Sequence, residues 1–335
     1  MNTTSDRVAW IDVAKGVAMV AIIMGHLDIS MVDRVVYPWH VPLFFIVAGF
    51  FLSTTGGIQE FIRKKAKSLI LPFIYTALLV VITLTMKAIL NGGDVMGAFL
   101  RMAASAIYGS GSTKGVTPFG ISNIGAIWFL EATFWAVLFV RLFNIWIACC
   151  IALISCISAH YVWLPFNLQA GGLGAFYVYI GYVLYQKTNL LKVVNKPLLA
   201  AGVVSFFAFC IINPQFFLVK NICSFSSVLA SVLIVYSLLV SIKRLSENLV
   251  ARAVGSVIGK NTLVILCLHS FQLKCFSWDS LWLMMPCAKW SGFRLPIYII
   301  FLLICNFIYL SAGVVAVNKI KDCLLKNNIR KAKHE

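Results

Sequence analysis

The chain has 335 residues, of which 61% are hydrophobic and 12% charged, with a formal net charge of +17 and a mean hydropathy of +0.93. Soluble domains are about 45–50% apolar and about 25% charged, so an ordinary soluble enzyme is excluded and one polytopic, all-α membrane domain spanning residues 1–335 is expected. The basic excess does not point to nucleic acid, because the charges alternate with apolar runs instead of clustering with aromatics on one polar face.

The first apolar run, Val8–Leu27, has roughly the twenty residues a membrane-spanning helix needs, yet it contains Asp12, Lys15 and His26. A charge at mid-membrane costs about 2.5–3.5 kcal/mol on insertion scales, which makes each of these a candidate functional group. Lys15 and His26 are about three helical turns apart, on one face and separated by roughly 16 Å along the axis. A cation near one membrane surface and an imidazole near the other outline a two-sided active site. Asp12, one turn from Lys15, is placed to orient that lysine. The run is too long and too polar to be the apolar core of a cleaved signal peptide.

Nine loop residues, Asp28–Val36, lead to Tyr37-Pro38-Trp39-His40-Val41-Pro42. His40 is expected at the outer mouth of the second span, on the same side as His26. Tyr37 and Trp39 fit interfacial aromatics. Next, Arg63-Lys64-Lys65-Ala66-Lys67 enters the third span. Lys64 and Lys67 are three apart and share a helix face. With Lys15 they form either a clamp for a phosphate-bearing anion, in which several donors converge, or a topology signal that also touches anionic lipid.

Ten spans are expected in all, at approximately 8–28, 36–53, 69–90, 124–141, 142–160, 171–187, 197–213, 222–242, 261–277 and 295–318. The short break at Arg141–Asn144 leaves nine or eleven open, and the ninth span has room to extend toward Met285. Within the longest outer loop, Val95–Tyr108 reads as an amphipathic or re-entrant helix. Gly109–Gly115 lacks the order of a phosphate loop and reads as a flexible connection. Glu131, just inside the fourth span, either orients a histidine or pairs with a cation. Trp278, Trp282 and Trp290 suit sugar stacking or an interfacial belt. The cysteines lie mostly in apolar spans without C-x-x-C, and no H-x-x-x-H pair exists, so no metal site is expected.

With ten spans, only Arg34, Lys87, Arg101, Lys114, Lys220, Lys274, Lys289 and Arg294 of the 28 basic residues fall outside, and the other 20 fall inside. The positive-inside rule then places both termini in the cytoplasm, with a basic tail at about 319–335. Read from the residues alone, a membrane enzyme and a secondary transporter or exporter of a saccharide or acyl compound both stay open. Transporters place ionisable residues in corresponding broken helices of two halves, whereas here they concentrate in the first four spans.

Lys15-Gly16 with Gly25-His26, followed by Trp39-His40-Val41-Pro42-Leu43-Phe44-Phe45 and Gly49, resembles the acyltransferase-3 family of integral membrane O-acyltransferases. The basic pair before Leu69-Ile70-Leu71-Pro72, the Ile127-Trp128-Phe129-Leu130 run and Leu268-His269-Ser270-Phe271 are similar to it as well. The resemblance implies a multi-pass protein of the inner (cytoplasmic) membrane. It also implies transfer of an acyl group, acetyl above all, from cytoplasmic acetyl-CoA to a hydroxyl of an envelope or exported saccharide, free or lipid-linked. The family's basic-x10-His pair maps onto Lys15 and His26, and its Arg-x-x-Arg onto Lys64 and Lys67, where lysine lacks the bidentate guanidinium fork. The candidate catalytic residues are therefore His26, His40 and Glu131, and the candidate acyl-CoA contacts are Lys15, Lys64 and Lys67. The esterase-like domain that some members append is not expected in a chain of this length.

Overall fold

The computed structural model describes residues 9–27, 29–109, 111, 121–212, 225–276, 278, 281, 282, 284 and 294–331. Every regular element among them is helical. Long apolar runs give helices here because a helix satisfies its own backbone polar groups, which lipid cannot do.

The first span is α1 (Ala9–Gly25). The expected loop after it is instead a short helix, α2 (Ser30–Val36), which runs on through Tyr37–Trp39 into α3 (His40–Phe50). Together they make one apolar stretch, Ser30–Phe50. His40 therefore opens α3 partway along that stretch. The basic helix α4 (Ile58–Lys65) passes through a π-helical turn, Ala66–Ile70, into α5 (Leu71–Leu90). Asp94 then caps α6 (Val95–Tyr108), the helix expected in the outer loop, and left-handed Gly109 ends it.

Asn144 caps the second of the next two helices, α7 (Trp128–Leu142) and α8 (Ile145–Ser158), so the break at 141–144 is real. α9 (Leu168–Tyr182) ends in a second π-helical turn, and α10 (Lys196–Ile212) follows. Beyond them come α11 (Phe225–Leu245), α12 (Leu249–Lys260), α13 (Thr262–Cys275) and α14 (Arg294–Lys331). Residues 112–120, Met285, Trp290 and the tail beyond Lys331 lie outside the described set.

A helix covers each of the ten expected spans, but fewer have the full length. Ser30–Phe50, Ile58–Leu90, Ser226–Leu245 and Ile297–Leu324 are long and apolar enough to cross a bilayer, and α12 with α13, bent by 63°, would add a fifth. α1, with 17 residues, and α7, with 15, fall below the roughly twenty that a straight span needs.

Small residues bring the central helices together. A Cβ on Gly49 would come within 2.0 Å of the Val178 carbonyl oxygen, and one on Gly181 within 1.9 Å of the Ile46 carbonyl oxygen. α3 and α9 thus touch backbone to backbone, the small-residue packing that drives helix association in lipid. The core runs through Phe45, Ile46, Phe50, Tyr177 and Leu239, all buried. α5, by contrast, leaves Ile74, Leu78, Leu79 and Ile82 exposed, as a lipid-facing helix should.

Candidate active site

Three histidines from α1, α3 and α13 gather near the C-terminal end of α1. His26 follows the last helical residue of α1, Gly25, and its side chain is exposed. Its ring centre lies 5.4 Å from that of His269, with the planes tilted by 53°. It is also within Coulombic range of His40. Tyr37 ties this end together: its hydroxyl donates to the Gly25 carbonyl at 2.9 Å, and the His40 ring meets its edge at 5.0 Å between centres.

His40 is buried, and its Nδ1 lies 2.7 Å from the Val36 carbonyl. A carbonyl can only accept, so Nδ1 carries the proton and a neutral His40 presents Nε2 as an acceptor. That arrangement suits an imidazole that receives a hydroxyl proton or holds a hydroxyl in place.

His269 is held through its neighbours. The Ile127 amide donates to Ser270 Oγ at 3.2 Å, and the Tyr309 hydroxyl donates to the Leu268 carbonyl at 3.2 Å. Positive-φ Gly125 allows the close approach, since a Cβ there would stand 2.8 Å from Ser270 Oγ. The sequence carried only a faint signal for His269, the Leu-His-Ser-Phe run. Nothing in it paired His269 with His26, because the two are joined only by the packing of α1 and α13.

Toward the N-terminal end of α1, Lys15 Nζ is 2.6 Å from Asp12 Oδ1, with the Asp12 side chain 3% exposed and the Lys15 side chain 23%. Asp12 thus orients Lys15 as the spacing suggested. α12, which falls between the expected eighth and ninth spans, packs on this part of α1. A Cβ on Gly259 would stand 1.7 Å from the Asp12 carbonyl oxygen, and one on Gly16 2.4 Å from that of Gly255. α12 also carries exposed Arg252 and Lys260.

Lys64 and Lys67 are not drawn to Lys15 by any described ion pair or hydrogen bond. Lys64 Nζ pairs with Glu60 at 2.7 Å, both largely exposed. Lys67 is exposed and falls in the π-helical turn. Such a turn takes more residues than an α-turn, so the three-residue spacing no longer stacks the two lysines as a plain α-helix would.

Glu131 is buried, and Asn167 Nδ2 donates to its Oε2 at 2.8 Å; Asn167 also bonds the Gly109 carbonyl. The hydrogen bond of Glu131 is therefore with an asparagine, and no histidine or cation pairs with it among the described residues. Phe166 and Asn167 hold this arrangement with φ of 56° and 53°, a left-handed conformation that non-glycine residues adopt at a cost. The carboxyl borders an apolar cavity of about 590 Å³ that Ile70, Phe73, Ala77, Phe134 and Trp135 help to line. Of the candidate stacking tryptophans, Trp282 is buried against Tyr298 and Phe301 and offers no face to a sugar. No cluster of three metal-ligating side chains occurs among the described residues.

A family model described as an acyltransferase domain, of the acyltransferase-3 type, matches residues 8–316. The match takes in α1 through α13 and most of α14. No curated protein and no solved structure matches the chain.

Proposed function

The chain belongs to the acyltransferase-3 family of membrane acyltransferases, and from that premise we propose that it transfers an acetyl group from cytoplasmic acetyl-CoA to a hydroxyl of an envelope or exported saccharide. The gathering of His26, His40 and His269 at one end of α1, with the Asp12–Lys15 pair toward the other, carries this reading. Lys15 sits about 16 Å along α1 from His26 at 1.5 Å per residue. That length suits a pantetheine arm with its phosphates near the basic side chains and its thioester near the histidines. Lys15, Lys64 and Lys67 are the donor-binding cations in this reading, with charge-assisted contacts to phosphate. Family membership favours a transferase over the exporter reading.

In the chemical step, the acceptor hydroxyl gives its proton to His26, an imidazole acting as general base. The hydroxyl oxygen forms a bond to the thioester carbonyl carbon, the C–S bond breaks, and CoA leaves as a thiolate that takes up a proton. His40 Nε2 holds the acceptor hydroxyl in line. Glu131, bonded to Asn167, stays outside the proton transfer.

The test is transfer of labelled acetyl from acetyl-CoA to saccharide by purified protein in lipid nanodiscs. His26→Ala should bind acetyl-CoA normally and lose about 10²–10⁴-fold in rate, the usual worth of a general base. His40→Ala should lose less. Wild-type transfer by His26→Ala would remove the base from this residue.

A further inference from the structure

His269 is 1% exposed, and neither of its ring nitrogens meets a hydrogen-bond partner among the described residues. Leaving buried polar atoms unpaired is costly, and native proteins rarely do it without a reason. Two neighbours answer for the two nitrogens. Gln272, one turn on along the same face of α13, is buried with its Oε1 also unpaired. The side chains of Gln272 and His269 are close enough to interact. His26 stands beside it too, with ring centres 5.4 Å apart.

That separation is informative. A ring nitrogen lies about 1.1 Å from the imidazole centre and an N–H···N bond spans about 3.0 Å, so two imidazoles joined in line have centres about 5.2 Å apart. The observed pair is a few tenths of an ångström from that. Their 53° tilt closes by rotation about the outer side-chain torsion, which is soft for a planar ring. His269 itself is kept in place, because Ser270 and Leu268 on either side are tied to Ile127 and Tyr309.

We propose that His269 is a positioning residue for His26, within the acyl-transfer reading above. Gln272 Oε1 accepts the one N–H of neutral His269 and so fixes which nitrogen keeps a lone pair. That lone pair accepts the N–H of His26. The other nitrogen of His26 is thereby left unprotonated and aimed at the acceptor hydroxyl. When His26 takes the hydroxyl proton and becomes imidazolium, the same bond to His269 strengthens and holds the charge. No proton passes through His269, and the balance of the transfer step is unchanged.

Two measurements test this. In steady-state acetyl transfer, His269→Phe should lower kcat about 10–100-fold while leaving the KM for acetyl-CoA within about twofold. His269→Gln, whose amide oxygen can still accept from His26, should recover most of that loss, and Gln272→Leu should fall between them. Independently of any acceptor, ¹⁵N spectra of histidine-labelled protein should show His26 in one tautomer in the wild type and a mixture in His269→Phe. Wild-type kcat in His269→Phe would overturn the proposal, as would an unchanged His26 tautomer or equal loss in the Gln and Phe variants. Should the wild-type protein transfer no acetyl group, the acyl-transfer reading falls, while the spectra still decide whether His269 sets the state of His26. If the Phe variant does not fold, the kcat and spectra of His269→Gln and Gln272→Leu decide: wild-type values in Gln272→Leu would overturn the proposal.

Discussion

Lys15 and Asp12 show how one side chain can serve stability and binding at once. The pair is 2.6 Å apart with Asp12 almost fully enclosed, so deleting Lys15 takes an ion-pair partner from a buried carboxylate as well as removing a donor contact. A hydrogen bond to a charged group is worth about 1.5–3 kcal/mol. Lys15→Ala should therefore lose both thermal stability and acetyl-CoA affinity. Asp12→Asn with Lys15→Ala should regain most of the stability without regaining affinity. Thermal unfolding in detergent and titration with acetyl-CoA separate the two losses, and equal affinity in wild type and double variant would reduce Lys15 to a structural ion pair. At this scale the sequence was most legible where a residue broke the chemistry of its surroundings. Asp12, Lys15 and His26 stood out because lipid penalises them. His269 stood out less, since its meaning depends on a ring contributed by a distant helix. The partner of Glu131 was not readable at all, because Asn167 reaches it through a left-handed backbone that no local pattern announces.

Elements follow the same logic. The long apolar runs read clearly as helices, and Val95–Tyr108 emerged as the extra helix its amphipathic pattern suggested. The π-helical turn at Ala66–Ile70 did not, since the run of residues around it looks like any basic helix entry, and with it went the simple stacking of Lys64 on Lys67. α12 was missed because Arg252, Ser256 and Lys260 make it too polar for a span, while its Gly255-Ser-Val-Ile-Gly259 spacing matters only once α1 lies against it. That contact gives a sharp expectation. Even a methyl group on Gly259 would stand 1.7 Å from the Asp12 carbonyl oxygen, so the helices must part. Overpacking of this kind costs about 1–3 kcal/mol. Gly259→Ala should lower the unfolding temperature and also weaken acetyl-CoA binding, because Asp12 and Lys15 move with α1. Gly57→Ala, where a Cβ meets nothing within 4 Å, should do neither. An unchanged Gly259→Ala protein would mean that α12 does not rest on α1 in the membrane.

For the whole molecule, the loops themselves support an arrangement with alternating sides. Arg141 donates to the Gly56 carbonyl at 2.8 Å, Gln186 to those of Phe50 and Leu52 at 2.9 and 3.0 Å, and Lys243 to that of Leu191 at 2.8 Å. Each of these bonds joins segments that the ten-span reading puts on the inner side. Lys87 donates to the Cys275 carbonyl at 2.7 Å, and Asn167 binds the Gly109 carbonyl; both join segments assigned to the outer side. An odd number of crossings anywhere between two such partners would put them on opposite faces of a bilayer, where a direct hydrogen bond cannot form. In the ten-span reading the short helices α7 to α10 each reach across, helped by their π-helical and loop extensions, whereas length alone marks only four or five spans. Combined with the 20 to 8 partition of basic residues, this predicts that both termini face the cytoplasm. With single cysteines placed in a cysteine-free background, Lys333→Cys and Thr188→Cys should resist a membrane-impermeant thiol reagent in intact cells and react after permeabilisation. Asn91→Cys should react in both. Labelling of Lys333→Cys in intact cells would break the even count of crossings. It would also remove the argument that Lys15 and the histidines address opposite sides of the membrane.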